Sequence, residues 1–553
     1  MKENVIVNKL KRTPKNLLLL IIILIHIAVC LTFGHMKRTF FCDETYSYGL
    51  ANSESYSFLD PTSSKVYGEN TNGWVDVNYF KNYVTVNSNN RFSLSAPIRN
   101  QINDVHPPLY YILLHIVCSI FPDSFTKWTG IGLNLIIAII VDVLLYYNAQ
   151  IVFEKNHFNR TMVVFLWALS AAGISNVLFI RMYLLQTAEI LGYIAIHIFL
   201  LKQKKIFSLK GMILLSVIVI TGGLTHYYFY PFAFFFSAPL CLFLFCKKKR
   251  KLLLKYIIAL ISGFIVNLLL FPATINHVFN GYRGNEAIEN LQTGRDRVFK
   301  QFYLQWINNS IFGGLGKILF LILIVGVIYK IISLWISVYI KSTGLLSYQL
   351  CIEKKATRTK YEIVIDENVF LCILTSIGTL GFAYIAIVGS QLTSNRYIYP
   401  IYPMLAMLII AVLSIIKIKK FIVCVLILVI CVLSHEKYGI DYQYSDYDET
   451  DETAQRIKGT DCLLYYGEDW LDIYTAFPLK FIFDETYFLD PNDISNLNDI
   501  LNTRKSFDPI VVCLPDNMSD SDIELTLNDI LNNTIYTEYE YIYHYYTQAY
   551  LLK

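Results

Sequence analysis

Up to residue 434, apolar residues fall in runs close to twenty long, separated by short polar stretches. About 20 apolar residues in a helix cross the ~30 Å hydrocarbon core of a bilayer. The pattern therefore predicts an α-helical polytopic membrane protein. The first run, 17–34, follows a basic start (Lys2, Lys9, Lys11, Arg12, Lys15) and shows no clear small-residue cleavage site. It reads as a retained span with a cytoplasmic N-terminus. Four stretches rich in Lys and Arg, at 202–210, 247–255 (KKKRKLLLK), 341–360 and 417–420 (KIKK), mark cytoplasmic loops. Between them, spans are expected at 209–226, 228–246, 252–271, 315–340, 368–390, 397–416 and 420–434.

Counting back from Lys202 sets the remaining topology. Spans at 183–201, 161–179 and 128–150 leave residues 35–127 as one outer loop. The apolar stretch 108–122 cannot span without breaking this parity. Its Pro pair suits a helix start, and the reading is a helix lying in the outer interface, with Tyr110 and Tyr111 at headgroup level. The alternative is a further span there. The total is about eleven spans plus interfacial helices, a membrane domain over 1–434, and a second outer loop at 272–314.

From 435 the pattern changes. Short apolar runs (CLLYY, KFIFD, PIVVCL) alternate with helical segments such as 519–532. That alternation predicts a small C-terminal α/β domain, 435–553, outside the cytoplasm.

Composition agrees with the membrane class and splits the charge. Residues are 55% hydrophobic and 16% charged, where a soluble chain carries about a quarter charged. The net charge of +4 conceals 24 acidic and 7 basic side chains in 435–553, a net −17 against +21 elsewhere. A basic body with this topology suits anionic lipid surfaces, not nucleic acid. The eleven cysteines show no ligand spacing. For Cys462 and Cys513, a disulfide and a pair of strand thiols are both open readings.

Groups able to do chemistry collect on the outer face. Asp43-Glu44 follows the first span closely, where a carboxylate could take a proton from a hydroxyl; the bland alternative is two solvated loop charges. His106 lies in DVHPPL at the start of the interfacial helix, where an anion is favoured. Arg181, in RMY with Tyr183, and Arg396, in NRYIYPIYP, sit at outer span ends. An arginine there needs water or an anion, so each is either a phosphate clamp or an interfacial anchor. His226, in HYY, is a ligand for phosphate or a metal, or part of an aromatic belt. Arg283, Arg295, Arg297 and Lys300 make the loop 272–314 basic.

The order DE, DVHPPL, RMY, HYY and RY..P..P resembles polytopic lipid-donor glycosyltransferases. DE and DVHPPL are most similar to protein O-mannosyltransferases, and the wider relatives include aminoarabinose transferases. The resemblance implies a module of seven spans with interfacial helices in the first outer loop. It implies Asp43 as catalytic base, Glu44 as an aid to acceptor placement, and His106, Arg181, Tyr183, His226 and Arg396 near the donor phosphate. The sugar-binding repeat domain of eukaryotic O-mannosyltransferases is missing, which leaves the acceptor open: glycan, lipid or protein. The expected activity is inverting transfer of a sugar from a polyprenyl-phosphate donor to an extracytoplasmic acceptor in the cell envelope. No cofactor is required by the sequence, and a divalent metal remains compatible with the family. The alternatives are a lipid-linked glycan transporter or flippase, whose charges would line a path deep in the spans, and a membrane anchor with a recognition tail.

Overall fold

The computed structural model describes residues 17–59, 73–202, 208–295, 297–333, 336–342, 348–354, 360–365, 367–415, 419–443, 451–466, 473–474, 480–504, 509–515, 517–544 and 547–553. The basic start 2–15 and the loop residues Lys204, Lys205 and Lys417 lie outside them.

The chain is a multi-pass membrane protein. Among the described residues, eight helices are long and apolar enough to cross a bilayer: Leu17–Met36, Lys127–Ile151, Tyr183–Lys202, Phe229–Cys246, Arg250–Leu270, Glu367–Gly389, Asn395–Ile415 and Lys420–Tyr438. The expected span 161–179 is a broken one, with His157–Leu169 and Ala171–Leu178 meeting at 60°. Ser170 makes the break. Its backbone is extended, and its Oγ accepts from the Gly173 N–H as an N-cap. A Cβ on Gly173 would lie 2.0 Å from the Trp167 carbonyl oxygen, so only glycine allows the sharp return. The bend delivers Phe179–Met182 to the end of the bundle.

The two remaining expected spans are the shorter helix Leu209–Thr225 and Gly316–Ser333. The second corrects the expected span 315–340. Its helix stops at Ser333, and from Ile336 the chain forms a three-stranded antiparallel meander, β2 (Ile336–Ser342), β3 (Tyr348–Lys354) and β4 (Lys360–Ile365). The segment ISVYIKS alternates apolar and polar residues, a strand period that a plain apolar count merges with the preceding helix.

Among its described residues, the first loop forms four short helices, Cys42–Asn52, Val77–Val84, Ser95–Asn103 and Leu109–Ile120. Leu109–Ile120 has 12 residues, a length of about 18 Å, too short to span. Its tyrosines are a correction to the interfacial reading. Tyr110 and Tyr111 are fully buried, not at a headgroup boundary. Tyr110 Oη donates to Asn134 and Tyr111 Oη points to the Met182 sulfur, so both pin the loop onto the bundle.

Five strands of the tail and one of the first loop form a mixed six-stranded sheet of order β1-β6-β5-β7-β9-β8. Its strands are β5 (Asp461–Tyr465), β6 (Glu485–Leu489), β7 (Ile510–Pro515), β8 (Tyr539–His544) and β9 (Thr547–Leu552), with β5 parallel to β6 and β7. The edge strand β1 is Val75–Asp76 of the first loop, antiparallel to β6. Trp74 joins the tail's own apolar core beside Leu463 and Tyr487. The first loop and the tail are therefore one packed layer over the helix ends. Cys462 and Cys513 stand on adjacent strands with no disulfide between them, their sulfurs 3.7 Å apart.

Candidate active site

The helix Cys42–Asn52 places Asp43 and Glu44 in its first turn. Adjacent helical residues point about 100° apart and do not share a face, and here they part company. Glu44 is fully buried. Its carboxylate accepts from Lys37 Nζ (2.8 and 3.1 Å), from the Phe41 N–H (2.7 Å) and from the Ile180 N–H (2.9 Å). Lys37 Nζ also donates to the Tyr442 carbonyl (2.6 Å). Burial pushes Glu44 up and Lys37 down, each opposed by the charge of the other. Glu44 and Lys37 thus tie residues 37–44 to Ile180 and Tyr442, and Glu44 does not line the cavity described below. The sequence reading placed Glu44 beside the acceptor; the structure places its carboxylate in this buried network, apart from that cavity.

Asp43 turns the other way, into a cavity of about 370 Å³. Its Oδ2 lies 2.5 Å from Arg396 Nη1. Arg181 Nη1 donates to the Asp43 carbonyl oxygen (2.9 Å) and to Ser47 Oγ (3.2 Å). Burial opposes ionisation of Asp43, yet Arg396 and then Arg181 hold its carboxyl below the usual range. Arg396 is framed by the rings of Phe41, Phe179 and Tyr397 at 5.4–5.9 Å, a setting that suits a weakly hydrated guanidinium. The Nε of both arginines has no hydrogen-bond partner among the described residues. Two fixed guanidiniums with unused donors make a site for an anion.

His106, Tyr183 and His226 line the same cavity. His106 Nδ1 lies 2.9 Å from Asp104 Oδ2, so Nδ1 carries the proton and Nε2 is left for another partner. His226 Nδ1 accepts from the Tyr228 N–H (3.1 Å), which leaves the proton on Nε2. Burial, and then the charges of His106 and Arg181, push His226 well below the usual imidazole range. It is a neutral donor at pH 7. The groups around Asp43 are guanidiniums and imidazoles, a donor set that suits an anion better than a cation. No cluster of three or more His, Cys, Asp or Glu side chains able to hold a metal occurs among the described residues.

No protein-family model and no curated protein matches the sequence. Among solved structures, the crystal structure of ArnT from Cupriavidus metallidurans bound to undecaprenyl phosphate aligns over 96% of this chain and 97% of its own. The identity is 10% and the TM-score 0.50. The chain has the ArnT fold. The apo-state crystal structure of ArnT from the same organism aligns over the same shares of the two chains at TM-score 0.46.

Within that fold, six of the seven residues singled out in the sequence meet in one cavity, with Glu44 the exception. Of the basic loop, Arg283 lines it. Arg295 is spent elsewhere, on the Ser390 and Gln391 carbonyls. His277 is a lining residue that sequence reasoning missed. Its Nδ1 pairs with Tyr227 Oη (2.8 Å), and its Nε2 lies 3.2 Å from the Ile102 carbonyl. Ser390 and Gln391, also on the wall, come from an unremarkable polar turn.

Proposed function

We propose that this protein is a membrane glycosyltransferase that moves a sugar from a polyprenyl-phosphate carrier to a hydroxyl acceptor on the extracytoplasmic side. One observation carries the proposal: Asp43, Arg181 and Arg396 converge on a single cavity at the end of the helix bundle. The fold adds support, since its structural neighbour was crystallised with undecaprenyl phosphate. The basic residues Lys202 and Lys247–Lys251 lie at the ends of their helices remote from the cavity, which favours an extracytoplasmic opening.

The chemistry is a single displacement. The acceptor oxygen attacks the anomeric carbon, the bond from that carbon to the phosphate oxygen breaks, and the lipid phosphate departs with the electron pair. Asp43 takes the hydroxyl proton. Arg181 and Arg396 stabilise the leaving phosphate, with His226 as a neutral donor and His106 beside it. Arg396 has a double role. Before a lipid phosphate binds, it holds Asp43 ionised; once the phosphate competes for the guanidinium, the carboxylate is released and becomes a stronger base.

The test uses purified protein and undecaprenyl phosphate. Arg181→Gln and Arg396→Gln each remove a charged donor, and a hydrogen bond to a charged group contributes about 1.5–3 kcal/mol. Each variant is expected to bind the lipid phosphate roughly 10- to 100-fold more weakly. Wild-type affinity in both would overturn the phosphate assignment.

The pH dependence has a definite sign. Asp43 is held below the ordinary carboxylate value, about 3.9, so it stays ionised from neutral pH down to that range. The kcat/KM profile for transfer should therefore show no acid limb between pH 5 and 8, with the fall coming below about pH 4. An acid limb centred near pH 6 would point to a histidine as the base instead.

A further inference from the structure

Beside the phosphate cavity lies a second cleft of about 330 Å³, lined by Tyr46, Phe58, Asn103, Asp104, Val105 and Tyr282. The two share a wall. Val105 lines both; Asp104 faces the second while His106, its ion-pair partner, faces the first. Likewise Tyr282 lines the second cleft and Arg283 the first. Tyr46 stands one helical turn beyond Asp43, and the Arg181 guanidinium lies 5.8 Å from its ring centroid. A molecule in the second cleft therefore sits one turn of helix from the carboxylate that takes the proton.

The chemistry of this cleft differs from that of its neighbour. Its aromatic wall is Tyr46 stacked on Phe58, with centroids 5.5 Å apart and planes at 19°, facing the exposed ring of Tyr282. Beside the tyrosine hydroxyls, its polar groups are the Asp104 carboxylate and the Asn103 amide. No Lys or Arg is among its described lining residues. Asp104 is held ionised: burial opposes the charge, but His106 keeps its carboxyl below the usual range. A phosphate would meet a negative charge here with no Lys or Arg among the described lining residues to offset it. A pyranose ring fits instead. Its axial C–H groups lie against the electron-rich faces of aromatic rings, and its hydroxyls both donate to a carboxylate and pair with an amide.

We infer that this second cleft binds a neutral sugar unit of the acceptor, so that the acceptor is a carbohydrate and one of its hydroxyls reaches Asp43. The inference rests on the transferase reading above. The step keeps the balance given there: the sugar hydroxyl loses its proton to Asp43 as its oxygen bonds to the donor's anomeric carbon and lipid phosphate leaves.

The experiment is saturation-transfer NMR on the purified full-length protein with chitotetraose, mannotetraose and cellotetraose as probes. A Ser/Thr-rich peptide is run in parallel. At least one tetrasaccharide should receive saturation at its ring C–H protons. Tyr282→Ala and Asn103→Ala, both at exposed positions where the fold should persist, should weaken its apparent affinity by roughly 2- to 12-fold. Silence from all three sugars, or sugar binding that neither variant alters, overturns the inference. Binding of the peptide alone, lost in the same variants, overturns it in favour of a protein acceptor. Undecaprenyl phosphate is titrated in the same samples. If the lipid phosphate binds and no sugar does, the acceptor inference fails alone; if the lipid phosphate does not bind, the transferase reading fails with it.

Discussion

Asp43→Asn is expected to lower sugar transfer by about 10²–10⁴-fold, the usual contribution of a positioned general base, while leaving lipid-phosphate binding intact or tighter. The second half of this prediction is the distinctive one. On the proposed mechanism Asp43, which meets Arg396 at 2.5 Å, competes with an incoming phosphate for that guanidinium. Asparagine keeps the side-chain shape but gives up the charge, so both guanidiniums are freed for the anion. Transfer rates and undecaprenyl-phosphate affinity, measured on one preparation, should thus move in opposite directions or the second not at all. A purely structural ion pair predicts a different pattern. Loss of the carboxylate would then leave an unpaired guanidinium, lower thermal stability, and reduce transfer and binding together. Wild-type transfer by Asp43→Asn would remove the base assignment outright.

The membrane architecture was legible in the sequence because it rests on composition and loop charge. Basic loops set which span ends share a face, and that rule alone brought residues 43, 106, 181, 226 and 396 to one side. The cavity then collects all five from segments far apart in the chain. What stayed hidden depends on packing. The dipeptide alone does not separate Asp43 from Glu44; the Lys37 ammonium and the Phe41 N–H nearby, with the Ile180 N–H 136 residues on, hold the Glu44 carboxylate in the interior. Tyr110 and Tyr111 match an interfacial pair in sequence, yet Asn134 and Met182 draw them inward. His277 joins the wall through a tyrosine fifty residues earlier. β1 has only two residues and becomes a strand because β6 offers it an edge.

Lys37→Met should be the most destabilising single change near the site, with a loss of about 3–5 kcal/mol, the cost of leaving one member of a buried ion pair without its partner. Lys37 and Glu44 are both fully excluded from solvent. Methionine fills the space of the lysine stem but removes the donor that makes the 2.8 and 3.1 Å contacts and the bond to the Tyr442 carbonyl. Glu44 would keep only the Phe41 and Ile180 N–H groups. Thermal unfolding in detergent gives the measurement. Adding Glu44→Gln should restore part of the loss, because a neutral amide oxygen still accepts from those two N–H groups and no charge remains buried. Recovery should be incomplete, since the Tyr442 carbonyl stays without its lysine donor. If Glu44 served the acceptor instead, Lys37→Met would leave stability near wild type and change the acceptor KM. The same network also explains how a loop carboxylate is held in place: Glu44 fixes the first turn of the helix against Ile180, and that contact sets the adjoining Asp43 and Arg181 at the bond distances seen in the cavity.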